Sequence, residues 1–292
     1  MSNNVKTLED IAKLPPGVTE VEAEGIGDAE LVALSSKTSI TDLTLWCDEN
    51  VTDKGIQCLV RLPRLEKLII HSASLMTDKG LASLGCLTNL KELWLGSLPL
   101  ISDDVLGRTL QNLKKLSYLD LSYIGHRMHV YMQALEQRQN PDDIVPPPPE
   151  RTGREYLKAL LSLPDLREIK LEENELVDAD LEVIGRLTNL KGLSIEFNPN
   201  VTDDGIGSLE GLIYLEQLNI EYCTNLSDRA MLSINKLTNL HSLLFAGCDK
   251  MTDAALGNLS GLTKLQWARI NQESFSAKAI ERFGKSIELD AY

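Results

Sequence analysis

From Leu190 onward the chain repeats itself every 25 residues. LKGLSIEFNPNVTDDGIGSLEGLIY (190–214), LEQLNIEYCTNLSDRAMLSINKLTN (215–239) and LHSLLFAGCDKMTDAALGNLSGLTK (240–264) lie in register. Leu190, Leu215, Leu240 and Leu265 form one column, Leu193, Leu218 and Leu243 a second, and Ile195, Ile220 and Phe245 a third. A fixed period with the frame LxxLxLxxN/C describes one strand and one helix per unit, stacked so that neighbours bury each other's apolar face. The frame begins at Ile40 and recurs at Leu65, Leu90, Leu116, Leu166, Leu190, Leu215, Leu240 and Leu265, in steps of 25, 25, 26, 50, 24, 25, 25 and 25 residues. Although 292 residues would ordinarily suggest two domains, an array grows by adding coils, so one elongated body is expected.

In the second half of each unit a Thr/Ser-Asp pair precedes apolar residues at helical spacing, as in MTDKGLASLGCL (76–87) and MTDAALGNLSGL (251–262). Asp53, Asp78, Asp103, Asp178, Asp203, Asp228 and Asp253 all stand at this point. A carboxylate at a helix start accepts an orphan backbone N–H and meets the positive end of the dipole, for about 0.5–2 kcal/mol. These acids therefore read as structural, with either the Thr or the Asp as the capping residue.

The combination LxxLxLxxC/N followed by T/S-D-x-x-L/I, over Ile40 to Asn271, resembles the cysteine-containing class of leucine-rich repeats, of the ribonuclease-inhibitor-like and F-box-associated type. The resemblance implies an α/β fold, a right-handed solenoid with a parallel β-sheet on its concave face and helices on its convex face. It also implies a binding protein, since the shared residues are those that fold the family and its members bind unrelated partners. Residues 1–39 hold LEDIAKL, read as a short helix ended by Pro15 and Pro16, and a degenerate strand at Val18, Val21 and Ala23. They are expected to be an N-terminal cap, too short for an F-box. The array then runs over 40–292 and closes in a capping unit at about 265–292.

A net charge of −14 disfavours a nucleic-acid partner, which needs a basic surface to displace counterions, and points to basic proteins or cations. Neither a secretory signal nor a membrane-spanning stretch is visible, so a cytoplasmic protein is expected, with no cofactor and no membrane partner. Five cysteines cannot all pair internally. Cys223 and Cys248 share the turn after the strand with Asn174 and Asn198 in other units, which makes packing their role.

Between Leu116 and Leu166 the step doubles. The surplus falls at about Gly125 to Pro149, between strand and helix, and includes PDDIVPPPPE, expected to be stiff and extended. A hidden extra repeat would put Pro141 and Pro146 at strand core positions, where prolines fit poorly. Thr152 and Glu155 would form a capping box that restarts the helix. Such an insertion is either a tolerated elaboration or a contact element in its own right.

With the frame leucines pointing inward, the third, fifth and seventh residues of each unit point outward and the eighth lies at the strand exit. Trp46, Trp94, Trp267, Tyr118, Tyr123, Phe197 and Tyr222 fall at these places, half of the chain's aromatic residues and every tryptophan. Aromatics favour strands in any case, yet exposed tryptophans suggest a contact surface. At the seventh position consecutive units supply Glu172, Glu196 and Glu221, with Glu173 beside them and Lys170 as the opposing charge. The column reads either as a hydrated acidic strip or as a receptor for an Arg or Lys side chain, flanked by Phe197 and Tyr222. Asp120 adds a further outward carboxylate. The expectation is a non-catalytic scaffold whose concave face binds a protein or peptide, presumed basic. The alternatives are a glycoside-hydrolase-like or cation site at the Glu column, or binding through the insertion. An open sheet offers little desolvation to hold a carboxyl protonated for catalysis, and no G-x-S-x-G, P-loop or H-E-x-x-H is present.

Overall fold

The computed structural model describes residues 3–47, 50–96, 98–124 and 154–291, with the backbone alone at Ser286 and Ala291. The chain divides into two compact units, Met1–Leu166 and Arg167–Tyr292. The surplus at 125–149 and Thr152 lie outside the described residues.

Among the described residues the first unit carries six parallel strands, β1 (Asn3–Val5), β2 (Glu20–Ile26), β3 (Asp42–Cys47), β4 (Lys67–His71), β5 (Glu92–Gly96) and β6 (Tyr118–Asp120), each pairing with the next in sequence. Between them run helices Leu8–Lys13, Asp28–Leu34, Asp53–Cys58, Asp78–Leu84 and Asp103–Asn112, and after β6 comes Glu155–Leu160. The second unit repeats the plan with β7 (Glu168–Lys170), β8 (Gly192–Ser194), β9 (Gln217–Asn219), β10 (Ser242–Leu244), β11 (Trp267–Ile270) and β12 (Glu288–Ala291), again parallel and paired in sequence order. Its helices are Asp178–Ile184, Asp203–Gly207, Asp228–Ile234, Asp253–Asn258 and Ala277–Phe283. This is the α/β leucine-rich-repeat architecture expected from the period. Segment 18–26 belongs to a fuller coil than expected, because β2 is followed by a helix at Asp28–Leu34, and β1 precedes both. The helix after the surplus begins at Glu155 with Arg154 at its cap, two residues later than a Thr152–Glu155 capping box would place it.

The leucine columns form the core. Leu190, Leu215, Leu240, Leu218 and Leu243 are all inaccessible to solvent, and burial of each stabilises by roughly 1.5–3 kcal/mol before chain entropy is counted.

The repeated aspartates hold one coil to the next. Thr52, Thr77, Ser102, Thr202, Ser227 and Thr252 are the capping residues of their own helices. The Asp that follows each cap turns away from its own helix end. Asp53 accepts from the backbone N–H of Thr77 at 2.8 Å, from its hydroxyl at 2.7 Å and from the N–H of Gly80 at 3.0 Å. Asp78 serves Ser102, Asp178 serves Thr202, Asp203 serves Ser227, Asp228 serves Thr252 and Asp253 serves Ser276 in the same two-bond manner. The ladder starts one coil earlier than the sequence frame, at Asp28, which holds Thr52 and Gly55. A side chain on Gly55 or Gly80 would press a methyl within 2.6 Å of that carboxylate, so glycine lets the helix start sit directly on the acid.

At the strand exits the Asn/Cys column is buried. Asn198 donates to the carbonyls of Leu171, Ile195 and Glu196 and accepts from the N–H groups of Asn174 and Leu176. Cys223 and Cys248 donate to the carbonyls of Ile195 and Ile220, both at 3.3 Å. Burial pushes the Cys223 thiol up to about 12 and the Cys248 thiol up as well, which fits packing and not reactivity.

Candidate functional site

In the second unit the outward positions of β7 to β11 frame a shallow groove of about 270 Å³. Glu168, Lys170 and Glu172 stand on one side and Trp267 on the other, over a low floor that includes Gly192, Ser194 and Ser242. The floor is low because those side chains are small. A methyl on Gly192 would meet the Glu168 side chain at 2.8 Å.

The three carboxylates of the expected column do not simply face one another. Each leans toward the fifth-position residue of a following strand. Ser194 donates to Glu172 at 2.8 Å, and Asn219 donates to Glu196 at 2.9 Å. For Glu221 the corresponding residue on β10 is Leu244, which has no donor. Its carboxylate instead meets Arg269 of β11, Nη1 to Oε2 3.7 Å. Like-charge repulsion across the strands is thus relieved by interleaved donors. The consequence for Glu221 is burial, since it is only 4% exposed, whereas Glu172, Glu173 and Glu196 remain partly open. Burial, then the neighbouring Glu196, raise the Glu221 carboxyl to about 7, with Arg269 pulling the other way.

Arg269 was not singled out from the sequence, where Lys170 was the opposing charge. The guanidinium also donates from Nε to Asp290 at 2.8 Å and lies 5.4 Å from the centre of the Trp267 ring. It stands at the fifth position of its unit, so outward alternation alone could have found it. Asp290 could not have been found in that way, because β12 lies outside the repeating frame.

Beyond the Glu column the backbone turns into the left-handed region at the eighth position of four successive coils: Glu173 (φ 52°), Phe197 (φ 55°), Tyr222 (φ 55°) and Gly247 (φ 71°). For a non-glycine residue this geometry costs on the order of 1–2 kcal/mol. The Phe197 and Tyr222 rings stack at 4.3 Å, within 2° of parallel, and Phe197 is 39% exposed. A side chain at Gly247 would overlap the Tyr222 ring. Glycine there both takes the positive φ and lets the ring lie flat.

The outward aromatics of the first unit form pairs of their own. Trp46, 44% exposed, donates its indole N–H to Glu22 at 2.9 Å and stacks on His71 with centroids 3.9 Å apart. Trp94 stacks on Tyr118 at 5.2 Å. Asp120 accepts from the Ser122 N–H at 2.9 Å, and Tyr123, 43% exposed, takes a left-handed backbone (φ 65°). Burial holds the His71 imidazole below its ordinary range, against the opposing pull of Asp120. Neither His71 nor Glu22 was picked out from the sequence, although both fall at outward places. Among the described residues, no group of three His, Cys, Asp or Glu side chains could hold a metal ion, and no helix is long and apolar enough to cross a membrane.

The sequence matches no family profile and no curated relative. Solved structures do resemble it. An internalin (inlF) from Listeria monocytogenes is 20% identical, with 91% of this chain and 71% of that one covered and a TM-score of 0.56. Rad7, from the Rad7–Elc1 complex of yeast, is 19% identical over 96% of this chain and 77% of that one, with a TM-score of 0.61. An internalin C2 from Listeria monocytogenes is 21% identical over 84% of each chain, at 0.51. Together with the strand, helix and ladder pattern, this shows that the chain takes the leucine-rich-repeat fold.

Proposed function

We infer that the protein is a non-catalytic scaffold that binds a protein or peptide partner of basic character on the outward sheet face of its second unit. The observation that carries this reading is the Phe197–Tyr222 stack. Two large rings occupy backbone positions that favour glycine, with one ring substantially exposed, beside a groove walled by Glu172 and Trp267. Strained backbone that presents an aromatic to solvent is characteristic of contact surfaces. The partly exposed carboxylates Glu172, Glu173 and Glu196 supply negative charge toward an Arg or Lys side chain. Arg269, resting on Trp267 between Glu221 and Asp290, illustrates how this surface accommodates a guanidinium. Trp46, Trp94, Tyr118, Asp120 and Tyr123 make a second contact patch on the first unit. The Rad7 structure, a complex with Elc1, is in keeping with a partner-binding role for this fold. The buried Cys223 and Cys248, at matching strand exits, are in keeping with the cysteine-containing repeat class.

The test is fluorescence anisotropy with a labelled peptide that alternates arginine and apolar residues, at physiological salt. E172Q/E196Q should weaken binding about a hundredfold, each lost charge-assisted contact removing about 1.5 kcal/mol, and F197A should weaken it further. Unchanged binding in E172Q/E196Q would remove the charge assignment. Deletion of 125–149 should leave affinity intact, and loss of binding there would move the contact to the insertion.

A further inference from the structure

The last coil of the second unit is not closed as the others are. Met231, Ile234, Leu237 and Leu240, which line the coil beneath helix Asp228–Ile234, are 0–1% exposed. Their equivalents one repeat later, Leu256, Leu259, Leu262 and Leu265, are 3–6% exposed. The cause lies in the C-terminal helix Ala277–Phe283, which has no buried residue and stands off from the coil it covers. Between them is an open cleft of about 630 Å³, lined on the coil side by those leucines and closed at one end by Ile287.

The face that this helix turns toward the cleft carries Lys278, Ala279, Arg282 and Phe283, residues that share one side of a helix. On a chain of net charge −14, two cations thus line a cleft whose walls are about half apolar and half polar, Ser260, Thr263 and Ser276 among them. Among the described residues, neither takes part in an ion pair. Spaced one turn apart, about 5–6 Å between their Cβ atoms, they can bracket a single anionic head. Asp253 also lines the cleft as an anion, its carboxyl held below the usual range by the hydroxyl and N–H of Ser276, which both donate to it and fix it on the coil side.

We propose that this cleft binds a small anionic amphiphile, a medium-chain carboxylate with its tail on the leucine floor and its head between Lys278 and Arg282. The site is separate from the outward sheet face and independent of the reading of that face. Both contributions are needed. The tail covers apolar surface left open at Phe283, at Ile287 and at the edges of the leucines, and the head pairs with Lys278 and Arg282, two cations against the single Asp253 carboxylate of the lining.

The experiment is titration calorimetry and thermal unfolding of the full chain with decanoate, decanol and acetate. Wild type should bind one decanoate with a raised unfolding midpoint, decanol about tenfold more weakly, and acetate not measurably. K278Q/R282Q, changed only at exposed positions, should bind decanoate no better than decanol. A279F, which fills the cleft, should bind neither while unfolding at or above the wild-type midpoint. Failure of wild type to bind decanoate would overturn the proposal, as would equal affinity for decanoate and decanol, undiminished binding by K278Q/R282Q, or binding that survives A279F. So would a concentration-dependent dimer that A279F abolishes and decanoate does not, because it would put a second copy in the cleft.

Discussion

Glu221 gives the most direct check on the electrostatics of the outward face. A carboxyl raised from 4.5 to about 7 by burial and by Glu196 carries, at 1.36 kcal/mol per pH decade, about 3 kcal/mol. Between those pH values the folded chain keeps a proton at Glu221 that the unfolded chain has released. Unfolding then releases a proton, and stability falls as pH rises. Its contribution is most favourable below pH 4.5 and is lost through pH 7, where the buried carboxylate must be charged beside Arg269. The measurement is urea unfolding at pH 5, 6, 7 and 8 of wild type and E221Q, followed by circular dichroism. His71 acts in the opposite sense, since its lowered imidazole costs stability as pH falls through 6.5, but it is present in both proteins and cancels in the difference. Relative to E221Q, wild type should lose about 2–3 kcal/mol between pH 5 and 8, and E196Q should shrink that loss because it removes the second cause of the shift. If E221Q is instead less stable than wild type by the same margin at every pH, Glu221 is an anion held by Arg269 throughout, and desolvation does not govern the site.

D203A removes both inter-coil bonds to Ser227 and leaves a partly buried N–H without its acceptor; urea unfolding should show a loss of about 2–3 kcal/mol, against about 1 kcal/mol for S227A. G247A forces a methyl into the Tyr222 ring at φ 71°, so near-ultraviolet dichroism from the stack should collapse and stability should fall by about 1–3 kcal/mol. A thiol reagent at pH 8 should label exposed Cys86 first and half-buried Cys58 more slowly, and should reach Cys47, Cys223 and Cys248 only on unfolding; early labelling of Cys223 would contradict a thiol raised to about 12.

The backbone plan was legible because the period is redundant. Each column of leucines repeats the same burial decision, so the frame carries across the doubled step from 116 to 166, with β6 before it and helix Glu155–Leu160 and β7 after it. The aspartates show where that kind of reading stops. Their recurrence marked them as structural, and the capping argument gave each a partner within its own helix. The bonds run instead to the Thr or Ser a coil away, because the capping hydroxyl already accepts from the helix's second or third N–H and leaves the next acid free to reach across. Position in a repeat says which residues share a column, but not which neighbour a flexible side chain selects.

The Glu column carries the same lesson into function. Alternation placed Glu172, Glu196 and Glu221 on one face, and equal treatment followed from equal register. What separates them is the residue one strand on: Ser194, Asn219 and then Leu244. Two carboxylates find a neutral donor beside them and stay partly open, while the third meets an apolar side chain, sinks, and draws Arg269 from two strands away. A cation on the proposed partner would therefore meet the partly exposed Glu172 and Glu196 at the β7–β8 side of this face and, beyond them, a buried Glu221 already beside Arg269. Binding of an arginine peptide should thus depend on Glu172 and Glu196 at any pH from 6 to 8 and, if Glu221 takes no direct part, E221Q should leave affinity within about twofold, or about 0.4 kcal/mol, while still removing the pH dependence of stability. Affinity lost in E221Q as steeply as in E172Q/E196Q would show that the internal pair opens to receive the partner.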